Sequence, residues 1–258
     1  MNLYFPDIPD LNYKSRSQRI RVISELWMKN EMYCPVCGCD SLIKLPNNMR
    51  LADFICGRCS EIYELKSKGT AIGKSILDGS YYTALERITS RTNPNLFILR
   101  YDNNAVENLI LVPKYFFTPN ILRMRNALSF SARRAGYIGS VIMYGDIPEQ
   151  GKVKVIESHR ELKRDIVMKN YRESVKLRVE NINLRGWLMD ILNLVNRINH
   201  DTFSLNDVYA FADELALMHS GNHNVRAKIR QQLQFLRNKG FIDFLGRGLY
   251  KKIYQYQV

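Results

Sequence analysis

Residues 33–66 read YCPVCGCDSLIKLPNNMRLADFICGRCSEIYELK, and two chemistries share this stretch. Four cysteines, Cys34, Cys37, Cys56 and Cys59, form two C-x2-C pairs with 18 residues between them. Thiolates at two such knuckles close a tetrahedron around Zn²⁺ and leave no open coordination position, so the spacing predicts a structural zinc site. Cys39 lies two residues past Cys37, too close to serve as an alternative ligand, and is expected as a free thiol. Asp53 sits inside the frame, and Glu64-Leu65-Lys66 follows just beyond it.

An aspartate separated by ten residues from a Glu-x-Lys triplet resembles the active-site spacing of the PD-(D/E)xK nucleases. Phosphodiester hydrolysis needs a divalent cation on the scissile phosphate and a deprotonated water in line behind it. Mg²⁺ is a hard cation that takes oxygen ligands, with one or two protein carboxylates. Asp53 and Glu64 supply the carboxylates in this reading, and the Leu65 carbonyl a third oxygen. Two residues apart on a strand, Glu64 and Lys66 leave the same face. The Lys66 ammonium can then orient or deprotonate the attacking water and offset charge on phosphorus. Glu61 would point to the other face. The plainer alternatives are a chance triplet or a surface Asp53–Lys66 ion pair. Leu51, Phe54, Ile55, Ile62 and Leu65 surround these groups, and a charge buried among such residues is costly unless it holds a metal or another charge.

At 258 residues with 46% apolar content, the chain can bury a substantial core in one large domain or two smaller ones. Lys and Arg number 38 against 25 Asp and Glu, a net charge of +13 that points to a polyanionic partner, nucleic acid first and an anionic membrane surface second. No run of 18 apolar residues is present, and the first residues lack the features of a signal peptide, so a cytoplasmic protein is expected. In a reducing compartment the CxxC pairs favour metal over disulfides.

Periodicity predicts a helix over 15–29, strands over 51–55 and 62–66 with a Pro46-Asn47-Asn48 turn before them, and a helix over 76–88. Strands follow at 96–100, 109–112, 139–144 and 153–156, then a charged helix over 161–176. Strands alternating with helices indicate an α/β (α+β) core. After about Asn183 the character changes. A helix over 186–197, a helix to about Met218 with Ser204 as N-cap, and a helix over 224–239 closed by Gly240 are followed by two strands around Gly246-Arg247-Gly248. Three helices and a hairpin make a winged helix. The expected division is 1–182, a catalytic domain with zinc, and 183–258, a winged-helix DNA-binding domain.

On 224–239 the apolar stripe Val225, Ile229, Leu233 and Leu236 turns Asn224, Ala227, Gln231 and Gln234 outward, with Arg230 nearby and His223 at the start. Asn and Gln pair bidentately with adenine and Arg with guanine in the major groove, whereas a small Ala leaves room for a methyl group. Arg247, Lys251 and Lys252 read as phosphate contacts of the wing. A solvated basic helix that binds nothing is the competing reading. A second basic stretch carries Arg133 and Arg134 beside Tyr137. It reads either as a DNA-reading loop or as a core tyrosine flanked by phosphate-neutralising arginines. The four histidines show no ligand spacing and are expected at the surface.

Over nearly its whole length the sequence resembles the DpnI-type methyl-directed restriction endonucleases. The resemblance rests on Tyr33-Cys34-Pro35 with Cys37, Ala52-Asp53-Phe54 with Cys56 and Cys59, and Glu64-Leu65-Lys66-Ser67-Lys68. It continues through Ala132-Arg133-Arg134-Ala135-Gly136, Arg185-Gly186-Trp187, the run from Lys228 to Gln234, and Gly246-Arg247-Gly248. It implies a type II, Mg²⁺-dependent endonuclease that cuts double-stranded GATC carrying N6-methyladenine and leaves blunt ends. It also implies a PD-(D/E)xK domain with structural Zn²⁺ and a winged helix that both read the site, with Asp53, Glu64 and Lys66 catalytic. Tyr137 stands where the resemblance leads one to expect Trp, which would reshape any contact with the methyl group. A monomer without membrane association is expected. The alternatives are a zinc-containing winged-helix regulator that binds DNA without cutting it, and a repair or unmethylated-site nuclease of the same class.

Overall fold

The computed structural model describes residues 1–8, 15–47, 52–90 and 92–253; Asn48 of the expected turn and Leu51 of the expected strand lie outside them. Helix α1 (Arg16–Glu31) buries Ile23, Trp27 and Met28 on one side. Short strands β1 (Ile43–Lys44) and β2 (Phe54–Ile55) run antiparallel to each other, and β2 pairs antiparallel with β3 (Ile62–Lys68). Residues 76–80 form β4 (Ile76–Ser80), and the helix begins only at α2 (Tyr81–Thr89). The expected helix over 76–88 is thus wrong in its first five residues. Ile76, Asp78 and Ser80 are more buried than Leu77 and Gly79, a period of two that the apolar count alone did not separate from a helical turn.

The chain continues through β5 (Asn95–Asp102), β6 (Ala105–Val112), β7 (Leu122–Met124), β8 (Gly139–Ile142), β9 (Val153–Glu157), β10 (Arg160–Glu161) and α3 (Arg164–Val175). Residues 161–163, expected as helix, are instead the end of β10 and the lead into α3. Among the described residues the main sheet has seven strands in the order β1-β2-β3-β5-β6-β9-β10, and β4-β8-β7 form a separate small sheet. Among the described residues only the β3–β5 pair is parallel, the crossover between them carrying β4 and α2.

The β3–β5 register matches Glu64 to Leu96 and Lys66 to Ile98, and Tyr63 and Leu65 to Asn95 and Phe97. Cross-strand partners share a face. Tyr63 and Phe97 therefore enter a core with Trp27, Met28, Phe54, Val153 and Val155. Leu96, Ile98 and Val112 enter a second core under Ala84 and Ile88 of α2. Glu64 and Lys66 stand at the margin of that second face.

The carboxy-terminal unit comprises α4 (Ile182–Arg197), β11 (Thr202–Ser204), α5 (Leu205–Tyr209), α6 (Ala212–Met218), α7 (Val225–Asn238), β12 (Ile242–Gly246) and β13 (Leu249–Lys252). Helix α4 starts four residues before its sequence expectation because the Asn181 side chain accepts from the N–H groups of Asn183 and Leu184. The helix expected to reach Met218 without interruption is broken between Tyr209 and Ala212. Strand β11, absent from the sequence reading, pairs with β13 as the third strand of the wing. Its three residues are too few for periodicity to register.

The second core runs from Leu96 and Phe116 through Trp187 and Leu192 to Leu233 and Leu236, so α4 and α7 pack into a cluster shared with the first half of the chain. Arg185 is buried, and its guanidinium donates to the carbonyls of Val179 (2.8 Å) and Phe117 (3.2 Å). His219 departs from its expected surface position. Its ring stacks on Trp187 with centroids 3.9 Å apart, and its Nε2 lies 2.8 Å from Asp190.

Ser204 and Asp207 form a capping box on α5, with the Asp207 N–H 3.2 Å from Ser204 Oγ and the Ser204 N–H 2.7 Å from Asp207 Oδ2. Ser204→Ala should lower unfolding stability by about 1 kcal/mol, measured as a shift of the urea midpoint at constant slope.

Candidate active site

Antiparallel pairing of β2 with β3 brings the two halves of the sequence signature together. Phe54 sits opposite Tyr63, and both point into the core, so Asp53 and Glu64 leave the opposite face. The Asp53 N–H donates to the Tyr63 carbonyl at 2.9 Å, and Asp53 Oδ2 accepts from the Leu65 N–H at 2.8 Å. Burial raises the Asp53 pKa above the usual carboxylate range, and the charges of Glu64 and Glu25 raise it further, against the opposing hydrogen bond from Leu65. A buried carboxylate whose charge is penalised by burial and by a neighbouring carboxylate is the setting that a divalent cation relieves.

Glu64 is engaged at both oxygens. Lys66 Nζ lies 2.6 Å from Oε1, and the Arg87 guanidinium lies 2.9 Å from Oε2. Lys66 also lies 2.7 Å from Asp78 Oδ1. Burial alone would lower the Lys66 pKa, but Glu64 and Asp78 outweigh it and push it above the ordinary lysine value. Lys66 thus pairs with Glu64 and Asp78 and not with Asp53, the partner in the plainer reading. Glu61, set aside from the sequence, is turned away and binds Lys114 at 2.9 Å.

Asp53, Glu64, Leu65 and Lys66 line one cleft of about 890 Å³ whose wall also carries Arg16, Arg21, Lys44 and Lys68. Three charged groups around Glu64, Lys66 and Asp53 escaped the sequence reading. Asp78 comes from the strand read as helix. Arg87 comes from the last turn of α2. Glu25, buried on α1 between Arg21 and Lys44 at 2.8 Å from each, reaches the cleft from the opposite wall. A polar residue in a buried helical face was the signal for Glu25, and an acid on the inward parity of a strand the signal for Asp78.

The four frame cysteines converge, their sulfur atoms all within 4.8 Å of one another, and Cys39 stays outside the group. Cys34 Sγ lies 3.6 Å from Cys59 Sγ, and Cys37 Sγ lies 3.5 Å from Cys56 Sγ. A tetrahedral ZnS₄ centre with bonds of about 2.3 Å needs sulfur separations near 3.8 Å, so the donor set fits Zn²⁺. The second knuckle is itself the turn between β2 and β3, with the Ser60 N–H bonded to the Cys56 carbonyl. The first knuckle holds that turn against the end of α1. Tyr63, fully buried, carries the link into β3, its hydroxyl 3.0 Å from Cys34 Sγ and its ring stacked on Phe97.

In the carboxy-terminal unit His223, Asn224, Ala227, Arg230 and Gln231 are all exposed, while Ile229, Leu233 and Leu236 are buried. Arg230 donates to the Tyr209 hydroxyl at 2.6 Å, and Lys228 to Gln231 at 2.8 Å. Arg247 and Lys251 are exposed on the wing. Lys252 does not join them, because its amine turns inward onto the Ile198 carbonyl and burial lowers its pKa. Arg133 and Arg134 project from the hairpin between β7 and β8. The Arg134 guanidinium lies 4.1 Å over the half-buried Tyr137 ring. At the tip of this hairpin Phe130 is wholly exposed, a feature that composition could not separate from a core phenylalanine.

Residues 1–180 match the family model described as the Dam-replacing family, DpnI, and residues 183–252 match that of the Dam-replacing HTH domain.

Two measurements test the site. Cys34→Ser and Cys56→Ser should each lower the zinc content of purified protein and its melting temperature; unchanged stoichiometry in either rejects the centre. Asp53 has a raised pKa, so its contribution to stability is present below the unfolded value and is lost as pH rises through the folded one. At neutral pH its charge is a cost, and Asp53→Asn should raise the melting temperature of the metal-free protein, with the difference shrinking on acidification.

Proposed function

Because the chain belongs to the Dam-replacing family and ends in that family's HTH domain, we propose that it is a methyl-directed restriction endonuclease. In this reading it hydrolyses double-stranded GATC carrying N6-methyladenine, uses Mg²⁺ and leaves blunt ends. Residues 1–182 form the catalytic domain and residues 183–258 the winged-helix reader. The protein acts as a cytoplasmic monomer. The observation that carries the proposal is the convergence of Asp53, just before β2, with Glu64 and Lys66 of β3 in one cation-rimmed cleft. The order of α1, antiparallel β1-β2-β3, α2 and then β5 parallel to β3 supports a PD-(D/E)xK core.

The chemistry follows from these positions. Asp53 and Glu64 are the residues that would hold Mg²⁺, with the Leu65 carbonyl as a further oxygen; such an ion would supply Lewis-acid polarisation of the phosphate and lower the pKa of water. Lys66 orients the attacking water and offsets the charge developing on the phosphate oxygens. Arg16, Arg21, Lys44 and Lys68 attract the sugar–phosphate strand to the cleft. His223, Asn224, Ala227, Arg230 and Gln231 face the major groove, where carboxamides can engage adenine edges and Arg guanine edges. Arg133, Arg134 and Tyr137 approach the same site from the β7–β8 hairpin, and Arg247 and Lys251 neutralise phosphates.

Matched plasmids from adenine-methylating and non-methylating hosts, incubated with Mg²⁺, separate the readings. Cutting of the methylated plasmid alone is expected. Cutting of both would indicate a methyl-blind nuclease, and cutting of neither a non-catalytic DNA binder. Asp53→Ala should lower cleavage by on the order of 10²–10³-fold with DNA affinity in Ca²⁺ retained. Replacing Arg247 and Lys251 together should flatten the dependence of log K on log[salt] by roughly two units, at ~0.9 per phosphate contact.

A further inference from the structure

Glu64 and Lys66 belong to the sequence signature, but Asp78 does not, and it makes the closest approach to the amine from outside β3. The Lys66 ammonium sits between two carboxylates, 2.6 Å from Glu64 Oε1 and 2.7 Å from Asp78 Oδ1. The two partners are not equivalent. Glu64 also receives Arg87 on its second oxygen, and it is one of the two groups that would hold the divalent cation. A cation held by Glu64 would compete with Lys66 for its carboxylate. Among the described residues, Asp78 is the other carboxylate ion-paired to the amine.

Asp78 is itself held in place. It lies on β4, paired in register with Ser140 of β8, and the Ser140 hydroxyl donates to the Gly79 carbonyl at 3.1 Å. Strand β8 in turn pairs with β7, Arg123 opposite Val141. The loop closing these two strands bears Arg133, Arg134 and Tyr137. The Tyr81 N–H, one residue past β4, bonds to the Ile138 carbonyl at the base of that loop. One small sheet thus carries both the arginine hairpin and the carboxylate on Lys66.

We propose that Asp78 is the positioning residue of the Lys66 ammonium, the anion that aims it once Glu64 is engaged by a cation, and the point where the hairpin-bearing sheet reaches the reaction. This rests on the nuclease reading of the cleft. Its role is to fix direction: with Glu64 engaged by a cation, a flexible four-carbon side chain left without an anionic partner can swing, whereas one still tied to β4 through Asp78 is held.

The test uses the full chain with Asp78→Ala and the isosteric Asp78→Asn, whose carboxamide oxygen still accepts from the amine. Single-turnover cleavage at saturating DNA should fall by roughly 10²-fold in Asp78→Ala and less in Asp78→Asn, because misplacement of a reacting group by about 1 Å costs this much. The dissociation constant for DNA, measured without Mg²⁺, should change by less than about twofold in both. In metal-free protein, the acylation rate of Lys66 by an amine-reactive reagent, read by mass spectrometry, should rise severalfold in Asp78→Ala. Wild-type cleavage in either variant, an unaltered Lys66 labelling rate, or a melting temperature that collapses in both variants would overturn the positioning role. Absence of cleavage in the wild-type protein would instead overturn the nuclease reading and leave the labelling result to judge the clamp itself.

Discussion

The parallel pairing of β3 with β5 is the constraint on which the site depends. Its register commits Tyr63 and Leu65 to one side of the sheet and Glu64 and Lys66 to the other. On the first side, Tyr63 and Phe97 are packed without exposure beneath α1 and α3. A slip of one residue would drive two charges into that core and bring a tyrosine and a leucine out, at a cost set by burying unpaired ions. The apolar residues therefore fix where the charged ones stand, and the reactive cluster inherits the rigidity of the sheet.

The cysteine frame adds a second restraint at the end of β2 and β3 away from Asp53. The knuckle at Cys56–Cys59 is the turn of their hairpin, and β2 contributes only two residues to the ladder. A strand that short has little intrinsic hold on its register. The four sulfurs, with Tyr63 bonded to one of them, hold the turn against the end of α1. A metal bound at this turn would steady the residue that leads into β2, Asp53, without a ligand entering the cleft.

Electrostatics in the cleft follows from crowding of unlike charges. Glu25, Glu64 and Asp78 pair with Arg21, Lys44, Lys66 and Arg87, and Lys66 is the node that joins two carboxylates. Such a network is stable because each ion has a partner, and each partner is also a competitor for an incoming cation or phosphate. The outer rim is left cationic, in keeping with the +13 of the whole chain. In the carboxy-terminal unit the same separation of roles holds on one helix: Ile229, Leu233 and Leu236 anchor α7, and the exposed residues between them remain available.

The local sequence was enough to group the four cysteines, to set Asp53, Glu64 and Lys66 on the lining of one cleft, and to place the helix-rich carboxy-terminal unit with its hairpin and the exposed face of α7. Each of these is encoded by residues close in sequence, at periods that backbone geometry imposes. Long-range packing decided the rest. Ile76–Ser80 became a strand because β8 was there to pair with it, and this brought Asp78 to Lys66. His219 left the surface because Trp187 offered a face and Asp190 a hydrogen-bond partner, and Lys252 turned in because the Ile198 carbonyl lay within reach. No periodicity records such contacts, since their partners lie tens of residues away and meet only when the sheets and helices have packed.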